Sequence, residues 1–356
     1  MRVLCINSGS SSLKYALFDD ALARVASGAV ERIGSEVPDH RRAIEMALDR
    51  VARAGVPDAV AHRLVHGGPA MHRPQRVTAA LLATMREIVH FAPIHLPPAI
   101  DCMEAVARRH GGVPQVACFD TSFHWDLPPV ARRLPLPADL DDQGVRRYGF
   151  HGLSYEYVVS TLGPRLGRRA VVAHLGNGAS LAALLDGKSI DTSMGLTPSG
   201  GIPMSTRSGD LDPGVVVFLL ARGIAPSEIE PLVTRRSGLL GVSGLSGDMR
   251  TLLGAGTAGA ALAVDQFCYA IRKQIGAYAA ALEGLDTLVF TGGIGERAAP
   301  VRERVCAGLA HLGVALDPGL PDSETISSAG SRVAVLVVKT DEDLVMARHA
   351  RKVLGA

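Results

Sequence analysis

The stretch INSGSSSLKYALFD, residues 6–19, returns in the second half of the chain as AHLGNGASLAALLDG, residues 173–187. Each copy is an apolar strand, a turn of Asn, Gly and Ser, a second strand and then Asp, the spacing differing by one residue. A chain that writes the same hairpin twice is constrained to two similar lobes, each presenting a glycine-rich elbow. Such an elbow exposes backbone N–H groups and short side-chain donors in a concave set, which suits phosphate oxygens. It is no Walker A loop, because the GxxxxGK[ST] order is absent and a strand follows where a helix would stand. Lys14, two residues past the serines, is placed to add a point charge to the same anion.

At 356 residues the chain exceeds the size at which one hydrophobic core stops growing, so two domains are expected. Strands are predicted at Val3–Ile6, Leu13–Phe18, Ala59–Val65, Gln115–Phe119, Ala170–His174, Ser180–Leu185, Thr287–Phe290 and Arg332–Val338. Helical patterns fall between them, at Asp39–Ala54, Pro98–His110, Ser154–Leu166, Thr257–Glu283, Ala298–Leu312 and Asp341–Val353 among others. Strands mixed with helices through short joints give an α/β fold. The boundary between lobes is expected near 141–148, giving an N-terminal lobe over 1–145 and a C-terminal lobe over 146–340. The last helix, 341–356, is expected to pack back on the first lobe. A third glycine cluster, LVFTGGIGER, follows a strand and opens a helix, so backbone there can approach a bulky ligand closely.

Charge narrows the function classes. Lys and Arg number 37 against 35 Asp and Glu, and no block of like charge marks a tail. That balance argues against nucleic acid as a partner. Five cysteines, far apart and without any CxxC, point to reduced thiols in the cytoplasm and away from disulfides or a zinc site. No signal peptide and no membrane span are expected, since the longest apolar run is too short to cross a bilayer.

The stretches INSGSSSLKY, AHRLVHGG, FDTSFH, RRYGFHG, HLGNGAS, TRSGDLDPG, SGLSGDMR, TGGIGE and KTDED occur in this order over nearly the whole chain. Together they resemble the acetate kinase family, within the superfamily of sugar kinases, heat-shock chaperones and actin. The resemblance implies two duplicated ribonuclease-H-like lobes with a nucleotide cleft between them, usually in a homodimer. It implies transfer of the γ-phosphoryl group of ATP to a short carboxylate, acetate first, giving an acyl phosphate and ADP. Mg²⁺ is the implied cofactor, with Mn²⁺ able to substitute.

Bringing a carboxylate to a phosphoryl group sets two anions together, at about 4 kcal/mol per unit-charge pair at 4 Å and an effective dielectric of 20. Cations and oriented donors must offset that, most strongly in the transition state. By resemblance Arg63 binds the substrate carboxylate in two-point fashion, and Val65, Ile94, Phe150 and Pro198 line an apolar pocket with His95 at its edge. Arg207 stabilises the transferring group, and His151 and Asn177 add hydrogen bonds to its oxygens. Asp120 matches the residue often named as the family's acid/base. A carboxylate acceptor is already ionised at neutral pH, so Asp120 is expected instead to hold Mg²⁺ or its waters. Asn7 and Glu342 match the metal site, while Asp341 and Asp343 are expected to serve only as helix N-terminal acids. For ATP the matching positions are Lys14, the elbow His174, Leu175, Gly176, Asn177 and Gly178, then Asp248, Met249 and Arg250, and finally Gly293, Ile294, Gly295, Glu296 and Arg297. Arg297 stands where many relatives carry asparagine.

Two departures from the family pattern bear on specificity. The segment from Asp20 to Asp39 is shorter than usual, and TPSGGIPMS replaces the common TPLEG text beside the substrate pocket. Propionate or butyrate kinase on the same fold is therefore the nearest alternative, because one methylene shifts discrimination by only about 1–3 kcal/mol. A nucleotide-switched binding protein is the alternative of another class. It would keep the elbows but have no use for Arg63, Arg207 and His151.

Overall fold

The computed structural model describes residues 1–9, 12–320 and 322–356. Ser10 and Ser11 of the first elbow lie outside the described residues. The chain divides into two units. Unit 1 comprises residues 1–125, 150–157 and 341–356; unit 2 comprises 126–149 and 158–340. The expected boundary near 141–148 thus falls within a stretch that belongs to unit 2.

Unit 1 is built on a mixed sheet of β1 (Val3–Ser8), β2 (Leu13–Phe18), β3 (Arg24–Val30), β4 (Ala59–Leu64), β5 (Gln75–Arg76) and β6 (Gln115–Phe119), in the order β3-β2-β1-β4-β6-β5. Unit 2 holds β7 (Arg169–Leu175), β8 (Ala179–Leu185), β9 (Lys188–Thr192), β10 (Thr287–Thr291) and β11 (Ala334–Val337), in the order β11-β10-β7-β8-β9. The first three strands of each sheet form an antiparallel meander, and two later strands add in parallel beside the first. The repeated hairpin is therefore the visible part of a repeated sheet. The α/β fold and its duplication are as expected. β3 and β9 were not foreseen, because RVASGAV and KSIDT carry too few apolar side chains for a strand signal.

Strand alternation puts successive side chains on opposite faces. In unit 1 both faces are covered. Leu4, Ile6, Leu13 and Leu17 pack with Ile44, Leu48 and Val51 of the helix His40–Ala52. Val3, Cys5, Ala16, Phe18, Ala61, Val116 and Cys118 pack on Val345, Met346 and Ala350 of the C-terminal helix Glu342–Leu354. That helix packs on the first sheet. Its first turn is tied down by Arg24, which reaches Asp341 at 2.6 Å and Asp343 at 2.9 Å. The two acids thus have a cationic partner beyond the helix dipole.

All five cysteines are buried and free of disulfides. Burial pushes Cys102 and Cys306 up to about 12, so both stay as thiols at neutral pH. Among the described residues no helix is long and apolar enough to cross a membrane.

Buried His62, on β4, meets Gln115 Oε1 through Nε2 at 2.7 Å. Burial pulls its pKa down to about 4 from the ordinary 6.5, against the hydrogen bond, which raises it. A histidine with a depressed folded pKa binds fewer protons folded than unfolded, so its contribution is intact above 6.5 and is lost as pH falls through that window. Wild-type stability should decline between pH 6.5 and pH 4 by up to about 3 kcal/mol on this account. Urea titrations at stepped pH should show a shallower decline in His62→Gln; equal slopes in the two proteins would remove His62 as the cause.

Candidate active site

Alternation also decides what emerges at the ends of the strands in unit 1. Continuing the face of Val3 and Cys5 leads to Asn7 on β1. Continuing Ala61 leads to Arg63 on β4, and continuing Val116 and Cys118 leads to Asp120 just beyond β6. These are adjacent parallel strands, so the three side chains share one face at the C-terminal edge, where open α/β sheets place their ligands. The C-terminal helix covers that face and begins with Glu342. Lys14 pairs across the hairpin with Asn7, which puts it on the same face, exposed.

Arg63 gathers this cluster. Its Nε lies 3.0 Å from Asp120 Oδ1, and its Nη2 lies 2.7 Å from Oδ2. Its Nη1 donates to Asn7 Oδ1 at 3.3 Å and faces Glu342 Oε2 at 3.4 Å. Burial acts to lower the guanidinium pKa, but Asp120 and Glu342 outweigh it, and the pKa ends above the ordinary arginine value. The two-point grip expected on a substrate carboxylate is made here to Asp120.

Asp120 is fixed through its backbone as well. Its N–H donates to Leu64 O at 2.9 Å, and its carbonyl accepts from Gly152 N at 2.9 Å. A Cβ at Gly152 would overlap that carbonyl oxygen and crowd Phe123. His151, next to it, sits at φ 59°, a left-handed conformation that costs a residue with a Cβ and that concentrates at functional sites. The helix Gly152–Leu162 starts at once, Tyr155 N donating to His151 O. His151 is thus anchored next to Gly152, whose N–H bonds Asp120 O.

Val65 and Ile94 are half-buried in unit 1. Phe150 is buried, its ring edge-on to His66 at 5.4 Å, and His66 lies 4.9 Å from Phe91. His66 Nδ1 accepts from Gly68 N. Sequence reasoning did not single out His66, since only tertiary packing sets it between two phenyl rings.

Unit 2 holds the remaining expected residues. Gly176, Asn177, Asp248, Met249, Arg250, Gly293, Ile294 and Arg297 line one cavity of about 290 Å³. Leu253, Ala298 and Pro300 complete its walls and were missed, being ordinary apolar residues beside the motifs. The β7–β8 elbow closes on itself, Gly176 N donating to Gly178 O at 3.0 Å. Asp248 caps the helix Met249–Gly254, its carboxylate accepting from Thr251 N at 2.8 Å. That bond holds its pKa below the usual carboxylate range. Gly292, at φ 76°, lies so near Leu175 that a Cβ would come within 2.8 Å of the carbonyl oxygen, so only glycine lets β10 turn into its helix here.

Other expected nucleotide residues do not face that cavity. His174, Leu175 and Gly295 are buried in or beneath the sheet. Glu296 accepts from Gly292 N and Thr340 N, both at 3.2 Å, so its carboxylate braces the turn. Arg207 donates through Nη1 to Pro198 O at 2.8 Å, which joins two expected site residues in one loop region. Asn177, exposed at the elbow, takes a bond from Ser205 N to its carbonyl at 3.2 Å.

A meander with two parallel strands, repeated in two units, combined with a guanidinium–carboxylate cluster in one and a glycine-walled cavity in the other, is the build of a phosphotransferase. Residues 26–348 match the model of the acetokinase family. The acetate kinase of Rhodopseudomonas palustris is 43% identical over 98% of this chain and 97% of its own length. The crystal structure of Porphyromonas gingivalis acetate kinase superposes with a TM-score of 0.90 at 38% identity, covering 99% of both chains. A propionate kinase from Francisella tularensis superposes at 0.93 with 33% identity, again over 99% of both. The chain belongs to the acetokinase family.

The contact between Gly152 and Asp120 is open to test. Gly152→Ala should cost about 1–3 kcal/mol by overpacking and should lower kcat, because relief requires Asp120 or His151 to move. Gly112→Ala, at a site with open space around it, should change neither quantity. Wild-type kinetics in a folded Gly152→Ala protein would show that the contact does not position Asp120.

Proposed function

We propose that this chain transfers the γ-phosphoryl group of ATP to acetate, reversibly and by direct in-line displacement, giving acetyl phosphate and ADP. The observation that carries the reading is that three stretches far apart in sequence, at 176–177, 248–250 and 293–297, line one cavity in unit 2. Family membership supplies the acceptor.

In this reading unit 2 binds ATP, its adenosine against Met249, Leu253, Ile294 and Pro300. Arg207 and Asn177 act on the phosphoryl group as charge spreads over its oxygens. Unit 1 supplies the acceptor side. Arg63 draws in the acetate carboxylate, and Asp120 holds the guanidinium in orientation. His151, fixed at its strained backbone position, donates to the transferring group. No general base is needed, because the acceptor is already ionised.

Mg²⁺ fits the donors present. Among the described residues no cluster of three or more His, Cys, Asp or Glu could hold a metal. Asn7 and Glu342, however, converge on the same Arg63 nitrogen and offer two hard oxygens, the rest being left to water and phosphate as Mg²⁺ prefers. When bound, the ion neutralises phosphate charge. The five buried thiols fit the reducing cytoplasm.

The helix Pro213–Ala221, PGVVVFLLA, supports a homodimer. None of its residues is buried, and Val217 and Phe218 are 66% and 62% exposed, whereas a helix apolar all round belongs in an interior. A second copy of the chain is proposed to cover it. Light scattering should give a dimer for the wild type and a monomer for Val217→Lys/Phe218→Glu; a monomeric wild type would remove the proposal.

A hydroxamate trap for acyl phosphate, run with acetate, propionate and butyrate, tests the activity. Acetate should give the highest kcat/KM. A hundredfold preference for butyrate would reassign the acceptor, and no product with any short acid would end the kinase reading. Arg207→Ala should lower kcat by about 10³ or more while ATP still binds; a tenth of the activity surviving would show that another cation does this work.

A further inference from the structure

Arg302 is the largest fully buried side chain of the protein's described residues. It lies in the helix Ala299–Ala307, next after the helix Gly292–Arg297 whose residues line the nucleotide cavity. Its Nη1 donates to Gly295 O at 2.9 Å and to Glu296 O at 3.0 Å. Its Nη2 faces Asp322 at 3.6 Å, an acid that is itself 83% exposed. Two backbone carbonyls are therefore among the partners of this buried cation.

The sequence shows why the carbonyl of Glu296 needs a side chain. In a continuous helix Glu296 O would accept from the N–H four residues on. That residue is Pro300, which has none. Ala298 N is engaged with Ile294 O at 2.9 Å, and the chain breaks direction at Ala298. Burying a guanidinium is far less favourable than burying leucine or methionine, so its place here is explained by what it holds. It holds the underside of a turn whose outer side, Gly293, Ile294, Arg297, Ala298 and Pro300, forms a wall of the cavity.

We propose that Arg302 is a positioning residue for the nucleotide: by bonding the carbonyls of Gly295 and Glu296 it sets the wall against which ATP and ADP bind, without touching them. The proposal rests on the reading of the cavity as the ATP site. Arg302→Met keeps the apolar stem and removes both donors. Isothermal calorimetry with ADP should then show a Kd at least tenfold weaker, with KM for ATP rising in parallel. KM for acetate should stay within twofold of wild type, and kcat at saturating ATP within threefold. A residue that merely stabilised the fold would lower active fraction without splitting the two KM values.

Unchanged ADP affinity in a folded Arg302→Met protein would overturn the proposal. If that variant does not fold, Arg302→Lys decides. Its nitrogen stops one bond short of the carbonyls, so ADP should bind threefold to tenfold more weakly with acetate KM unchanged, and wild-type affinity would overturn the proposal equally. Absence of ADP binding by the unaltered chain is a different failure, since it removes the nucleotide reading of the cavity itself.

Discussion

One guanidinium organises unit 1. Arg63 faces oxygens delivered by β1, by the residue after β6 and by the helix that ends the chain. Each of these carriers is held by core packing of its own. Val3, Cys5, Ala61 and Cys118 pack against Met346 and Ala350, so the sheet face that produces Asn7, Arg63 and Asp120 is the same face that the terminal helix must cover. The functional cluster is the polar continuation of an apolar interface. Breaking the pair by removing one partner would leave a buried charge uncompensated.

Unit 2 solves a different problem with the same sheet. Beside its cavity, glycine lets β10 turn tightly over Leu175. The cost is a short, poorly terminated helix followed by a proline, and Glu296 and Arg302 brace it from opposite ends. Both side chains work behind the wall and neither lines it. The duplicated topology therefore carries two chemistries: opposed charges at the strand ends in unit 1, and backbone approach in unit 2.

Several features were legible before any coordinates. Leu13–Phe18 and Gln115–Phe119 read as strands at their observed bounds, because continuous apolar runs bounded by turn residues leave little choice. The three stretches around the cavity were legible from glycine and motif order. The bracing role of Glu296 was not, because a carboxylate beside a glycine turn can face a ligand or cap a backbone with equal ease in sequence. Nor was the engagement of Arg63 with Asp120: two charged residues 57 positions apart meet only because β4 and β6 are neighbours.

By itself the sequence determined the period-two faces of the strands, the glycine turns and the repetition of one hairpin, since each depends on residues close together in the chain. It also determined family membership, through motifs in fixed order. Only the tertiary structure decided which strand ends stand side by side, which carboxylate fills the fork of Arg63 and which buried arginine bonds the turn behind the unit 2 cavity. Those are contacts between remote segments. Pairing order and helix coverage fix them, and no local spacing encodes either one.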